Sequence, residues 1–221
     1  MKLATIAITG TGSGFGWNLA EAALSREAEF ISAGRSHHPK STEIIHCDLD
    51  EQGHGSLFEF GISIEHLDLL ILNAYAFDSA QLSSDITSEE MLRHFTQNVI
   101  GQRAILDQFL AKFTIEKVAV VSSGAAHKGY AGWLNYCVGK AAFDSLIRVY
   151  AEEILETKFF SISPGVISTP MNRRLRESRE ASQFSWLEKL KSPRDAFSTA
   201  EAFLRLCLDS ELQSGSWTAV E

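Results

Sequence analysis

Proline and cysteine are scarce: the 221 residues contain four of the first and three of the second. There is no Pro- or Gly-rich tract to act as a linker, and the length suits one domain with a modest lid. Cys47, Cys137 and Cys207 are odd in number, far apart and free of C-x-x-C spacing. That argues against a disulfide framework and against zinc. His37, His38, His46 and Cys47 have no spacing that builds a metal shell, so no metal is expected. Long apolar runs are missing too. The opening MKLATIAITG reaches Gly10 after a stretch too short for a signal peptide or a membrane span. A cytoplasmic protein with no membrane partner is expected. Positive charge is in deficit, with 20 basic against 28 acidic side chains and a net charge of −8. This leaves no electrostatic footprint for nucleic acid. The densest basic run, Arg173, Arg174, Arg176 and Arg179, is interrupted by Glu177 and Glu180 and reads as a solvated helix face.

What the chain does have is alternation. About 45% of residues are apolar and 22% charged, ordinary for a soluble globular protein. Short apolar runs at Leu3 to Thr9, Phe30 to Ala33, Glu43 to His46, Leu67 to Asn73, Lys117 to Ser123 and Phe159 to Ser163 read as strands, and Ser216 to Val220 as a last one. Helical patterns fill the intervals: Phe15 to Arg26, Thr87 to about Lys112, Tyr136 to about Thr157, and a last helix opening at Pro193 with Ser192 as N-cap. Thr87 and Glu90 form a capping box. Such alternation predicts an α/β fold with a doubly wound parallel sheet (Rossmann type), in one domain over 1–221. Sheets of this kind bind ligands beyond the carboxyl ends of their strands.

The motifs fall at those ends. Thr9-Gly10-Thr11-Gly12-Ser13-Gly14-Phe15-Gly16 follows the first strand and opens the first helix. Gly10 permits a tight turn, Gly14 lets a diphosphate approach the backbone, and Gly16 lets helix and strand pack closely. The helix N-terminus then presents N–H groups to an anion. Arg35, after the second strand, stands where an acidic residue would bind the ribose of NAD, and it suits the extra phosphate of NADP instead. Asp48 is a candidate for the adenine. The central feature is Tyr136-Cys137-Val138-Gly139-Lys140. Residues four apart share a helix face, so a lysine ammonium beside the phenol is expected to lower its pKa and make it a usable acid or base. Ser122 and Ser123 end the fifth strand, and Asn98 is an amide inside an otherwise apolar helix.

With these residues in order, the chain resembles the short-chain dehydrogenase/reductase family over nearly its whole length. The matching positions are Thr9 to Gly16, Asp48-Leu49, Asn73-Ala74, Asn98, Ser123, Tyr136 with Lys140, and Pro164-Gly165 with Thr169. The resemblance implies an NADP(H)-dependent oxidoreductase, with NAD(H) as the alternative cofactor, acting on a small carbonyl or alcohol substrate. It implies that Ser123 binds the substrate oxygen, Tyr136 transfers the proton, Lys140 holds the nicotinamide ribose and Asn98 orders a water linking Lys140 to solvent. Pro164, Gly165, Ile167 and Thr169 would line the nicotinamide, while Gly10, Thr11, Gly12, Ser13, Gly14, Phe15, Gly16, Arg35, Asp48, Leu49, Asn73 and Ala74 would hold the rest of the cofactor. Ser122 to Ala126, Gly132-Trp133 and Tyr136-Cys137 look like the sepiapterin reductase and benzil reductase branch, whose members reduce carbonyls.

Two departures stand out. Tyr75 occupies the place of the family's usual glycine after Asn73-Ala74, where its ring would narrow the cofactor cleft or touch substrate. Ser13 stands where many NADP enzymes carry a basic residue. A lid over 171–191, with Met171, Leu175, Phe184, Trp186 and Leu187, is expected to cover the substrate, and Tyr130 and Trp133 to line its pocket. The resemblance also implies a homodimer or homotetramer through the two long helices. The competing readings are a non-catalytic dinucleotide sensor on the same fold, which has no need of the Tyr136–Lys140 pair, and a sugar-nucleotide epimerase, a class that usually carries a longer substrate domain.

Overall fold

A computed structural model describes residues 3–49, 57–58, 63–77, 79–177 and 181–220. Among them, eight strands form one sheet in the order β10-β9-β8-β6-β1-β2-β3-β4. These are β1 (Thr5–Thr9), β2 (Glu29–Gly34), β3 (Glu43–Cys47), β4 (Leu57–Phe58), β6 (Leu69–Leu72), β8 (Lys117–Val121), β9 (Lys158–Ser163) and β10 (Ser216–Ala219). All pairings are parallel except β3 with β4. A second ribbon pairs β5 (His66–Leu67) with β7 (Thr114–Ile115). The helices are α1 (Gly14–Ser25), α2 (Ser88–Phe95), α3 (Gln102–Lys112), α4 (Leu134–Glu153), α5 (Pro170–Glu177) and α6 (Ala196–Asp209).

Strand residues alternate between two cores, as a sheet covered on both faces requires. Ile6, Ile8, Leu69 and Ile71 face Leu19 and Ala23 of α1 and Phe203 and Leu204 of α6. Ala7, Leu70, Leu72, Val118 and Val120 face Ile105 and Phe109 of α3 and Phe143 and Ile147 of α4. Strand order reverses between β1 and β6, so the crevice at their carboxyl ends is the topological switch point where such sheets take ligands. Gly10 to Ser13 and Asn73-Ala74 lie there.

The sequence expectations need four corrections. The run Leu67 to Asn73 is two strands: Asp68 turns aside, its carboxylate accepting from the Thr5 amide at 2.7 Å. The stretch Thr87 to Lys112 carries a π-helical turn at Thr96–Gly101 between α2 and α3. The last helix does not open at Ser192-Pro193. Asp195 caps it, accepting from Ser198 N at 2.8 Å. The helix expected to reach Thr157 ends at Glu153, and Thr157 instead donates its hydroxyl to the Ile115 carbonyl. The capping box stands as read: Glu90 N donates to Thr87 Oγ1 and Thr87 N to Glu90 Oε2. Arg179, Glu180 and the side chain of Leu187 lie outside the described residues.

Candidate active site

The turn after β1 is built by glycine. Gly10 and Gly14 have φ of +74° and +64°, and a Cβ on Gly16 would stand 2.1 Å from the Gly10 carbonyl. A Cβ on Gly14 would meet only Pro170, at 3.8 Å, so the space in front of the α1 N-terminus is open. Ser13 makes no side-chain cap there, which leaves the first-turn amides directed at that space. Asn73 closes the other side. Its amide donates to the Thr9 and Gly10 carbonyls, while Thr9 Oγ1 accepts from Asn73 N and Ala74 N. The side chain of Asn73 thus shapes the loop. Thr11 is likewise turned inward, hydrogen-bonded to Ser32, and Phe15 packs edge-on against Phe203. A backbone cradle with a free helix terminus fits a dinucleotide diphosphate.

At the outer end of β2, Arg35 lies 3.4 Å from Asp48, and both side chains are largely exposed. Leu49 packs against the α3-side core. At the other end, Gly165 (φ +76°) follows a buried Pro164. Ile167 sits in a bridge to Arg194 whose hydrogen bonds are made by its neighbours Val166 and Ser168. Thr169 caps α5, its hydroxyl accepting from Asn172 N at 3.2 Å; the sequence reading missed that role.

Ser123, Tyr136 and Lys140 come together. Ser123 stands beside the Tyr136 phenol, and its hydroxyl accepts from Ala125 N. Lys140, buried one turn after Tyr136, donates to the Val121 carbonyl at 2.7 Å, with its Nζ 5.9 Å from the centre of the Tyr136 ring. The electrostatics differ from expectation. Burial pushes the phenol up to about 12, and the neighbouring Ser123 pulls it back only partly. Burial pulls Lys140 down to about 8, against the nearby charge of Asp144. The cation does not dominate the phenol here, because desolvation disfavours both charged forms. Asn98 Oδ1 accepts from Ala76 N and its Nδ2 donates to the carbonyls of Ala76 and His94. Its own carbonyl accepts from Gln102 Nε2. This amide ties the loop after Asn73 to the π turn.

Asp144 escaped the sequence reading, although it repeats the four-residue step from Tyr136 to Lys140. It accepts from Ser122 Oγ at 2.7 Å, and Trp217 Nε1 donates to that same Ser122 oxygen. Burial raises its carboxyl, opposed by Ser122, Ser161, Lys140 and His127. His94 was also missed. It lines a small cleft with Phe77, Ile86, Trp133, Asn135 and Tyr136. Beside this cleft, Phe184 and Trp186 stack on each other, and Trp186 packs on Trp133 and donates to the Ala131 carbonyl. Leu175 and Tyr130 join the same cluster. A separate group, His66 with Asp68 and Glu116, lies at the amino ends of β6 and β8, the far end of the sheet.

The fold is of the Rossmann type. The chain belongs to the short-chain dehydrogenase family, a family of oxidoreductases, whose model matches residues 4–180. It is 30% identical over 183 residues to an uncharacterized oxidoreductase of Schizosaccharomyces pombe, covering 77% of this chain and 74% of that one. It is 27% identical over 201 residues to the benzil reductase ((S)-benzoin forming) of Bacillus subtilis, covering 83% and 82%. Over 103 residues it is 37% identical to the sepiapterin reductase of Mus musculus, covering 45% and 40%. A short chain dehydrogenase family protein from Francisella tularensis superposes with a TM-score of 0.79 over 99% of this chain and 97% of that one, at 16% identity. No helix among the described residues is long and apolar enough to cross a membrane.

Proposed function

We propose that this protein reduces the carbonyl group of a small ketone, aldehyde or dicarbonyl to an alcohol, with NADP(H) favoured over NAD(H). One observation carries the reading: the Tyr136 phenol lies beside Ser123, which follows the carboxyl end of β8, and one helical turn from a buried Lys140. The amides of Gly10 to Gly16 would hold the diphosphate, Arg35 and Asp48 the adenosine end, Lys140 and Tyr136 the nicotinamide ribose, and Ile167 and Thr169 the carboxamide. When bound, the nicotinamide supplies the hydride. Tyr136, a neutral phenol at neutral pH that burial lifts further to about 12, donates its proton to the substrate oxygen. Ser123 donates a hydrogen bond to the same oxygen and stabilises the charge that develops there. With a pKa of about 8, Lys140 is still an ammonium at neutral pH and stabilises the phenolate left behind.

Aromatic walls from Phe77, Trp133 and Tyr136 favour a planar or apolar substrate. Trp133 Nε1 and Asn135 Oδ1 are buried without a hydrogen-bond partner among the described residues, which suits a substrate with one acceptor and one donor on its edge. Exposed Leu92, Ile100 and Val149 support association through α2, the π turn after it and α4 into a homodimer or homotetramer.

The test is NADPH and NADH oxidation with a panel of diketones, quinones and aromatic aldehydes, run beside Tyr136→Phe. Turnover by the wild type, lost by about 100-fold or more in the variant, is expected. Cofactor binding without turnover of any carbonyl would favour the sensor reading instead. Equal or better rates with NADH would refute the assignment of Arg35 to a 2′-phosphate.

A further inference from the structure

Tyr75 is one of the two departures from the family pattern, and its surroundings give it a task. Lys140 Nζ sits over the Tyr75 ring, 4.1 Å from the centroid, closer than its 5.9 Å from Tyr136. The Tyr75 hydroxyl meets His94 Nε2 at 3.0 Å, and its ring packs edge-on against Tyr136 at 5.3 Å. The loop carrying Tyr75 is fixed by Asn98, which takes both backbone groups of the next residue, Ala76. Space for the hydroxyl exists because residue 139 has no side chain: a Cβ on Gly139 would stand 2.7 Å from it, while the next neighbour, His94 Nε2, is 3.5 Å away. The groups facing the ammonium are therefore the Val121 carbonyl, Asp144 and Tyr136 from β8 and α4, and Tyr75 from the loop after β6, with His94 behind it.

We propose that Tyr75 is a positioning residue for Lys140. Packed against Tyr136 and admitted by Gly139, its ring face seats the ammonium where a glycine would have left the space open. The ring quadrupole attracts the cation, so Tyr75 steadies the charged form of a lysine that burial otherwise drives toward neutrality. The inference rests on reading Lys140 as part of the active site, but it concerns the lysine's own state and holds without any ligand.

The experiment follows Lys140 in the cofactor-free protein by ¹³C NMR of lysines labelled at Cε, with the resonance assigned by its loss in Lys140→Met. Tyr75→Leu keeps the site apolar but removes the π face. It is expected to lower the Lys140 titration midpoint by about half to one pH unit. Tyr75→Phe keeps the face and should leave the midpoint where it is. Gly139→Ala should displace the ring and move the midpoint from the wild-type position, and adding Tyr75→Phe, which removes the clashing hydroxyl, should bring it back. An equal or higher midpoint in Tyr75→Leu would overturn the proposal, as would a Gly139→Ala effect that Tyr75→Phe does not reverse. If Tyr75→Leu does not fold, the Gly139 pair decides alone. Because no cofactor or substrate is present, failure here is separable from failure of the carbonyl-reductase reading, which shows only as absent wild-type turnover.

Discussion

Lys140→Met should make the protein more stable near neutral pH while removing a group of the proposed active site. Lys140 is buried, and its ammonium is pulled from the ordinary lysine value to about 8. A base that loses its proton more easily in the folded state destabilises the fold wherever it is charged. The penalty is full below pH 8 and fades as pH rises toward the unfolded value of about 10.4, above which both states carry the neutral amine. A gap of about two and a half pH units corresponds to roughly 3 kcal/mol at neutral pH. Methionine also leaves the Val121 carbonyl without its donor, which returns about 1 kcal/mol of that gain. The net expectation is a variant more stable by about 2 kcal/mol at pH 7, or about 4–8 °C in melting temperature for a chain of this size. Between about pH 7.5 and 9.5 the wild type should recover about 2 kcal/mol relative to the variant. Tyr136, raised to about 12 by burial, is common to both proteins and cancels in the difference. Urea unfolding followed by tryptophan fluorescence across this range measures it. A flat difference, or a variant less stable than the wild type at pH 7, would refute the claim that the fold holds this ammonium at a cost in stability.

Gly16→Ala should cost about 1–3 kcal/mol by forcing a methyl against the Gly10 carbonyl and should weaken NADPH binding in a fluorescence titration. Gly129→Ala, with nothing within 4 Å, should be silent in both assays. Trp186→Ala removes the stack on Phe184 and the hydrogen bond to Ala131; limited proteolysis should then cut between 171 and 191 well before the melting temperature changes much. Asp195→Ala should cost about 1 kcal/mol through loss of the cap on α6. Asp195→Asn should restore most of it and Ser192→Ala should do nothing, all read by thermal melts.

Legibility followed the range of the interaction. The Thr87–Glu90 box came out as read because both partners lie within one turn. The Gly10 to Gly16 turn and the Tyr136–Lys140 step are local as well, and their spacing alone sets their geometry. Ser192 failed as a cap although its type was right: Asp195 is a better acceptor three residues on, and the segment before it is held in a bridge between Arg194 and Ile167. The π turn at Thr96–Gly101 has no periodic signature. It coincides with Asn98 reaching to Ala76, 22 residues back in the chain. Asp144 and His94 were visible as residues, but their partners Ser122 and Tyr75 come from other elements.

By itself the sequence determined the layered α/β architecture, the glycine turn at the switch point and the pairing of phenol and amine on one helix face, since each depends on periodicity or on contacts a few residues apart. Only the tertiary structure decided the protonation balance and the surroundings of that pair. Desolvation depends on what packs over a group, and the residues packed over Lys140 and Tyr136 come from the ends of β6 and β8 and from α2, which are brought together only when the sheet and its helices close on one another.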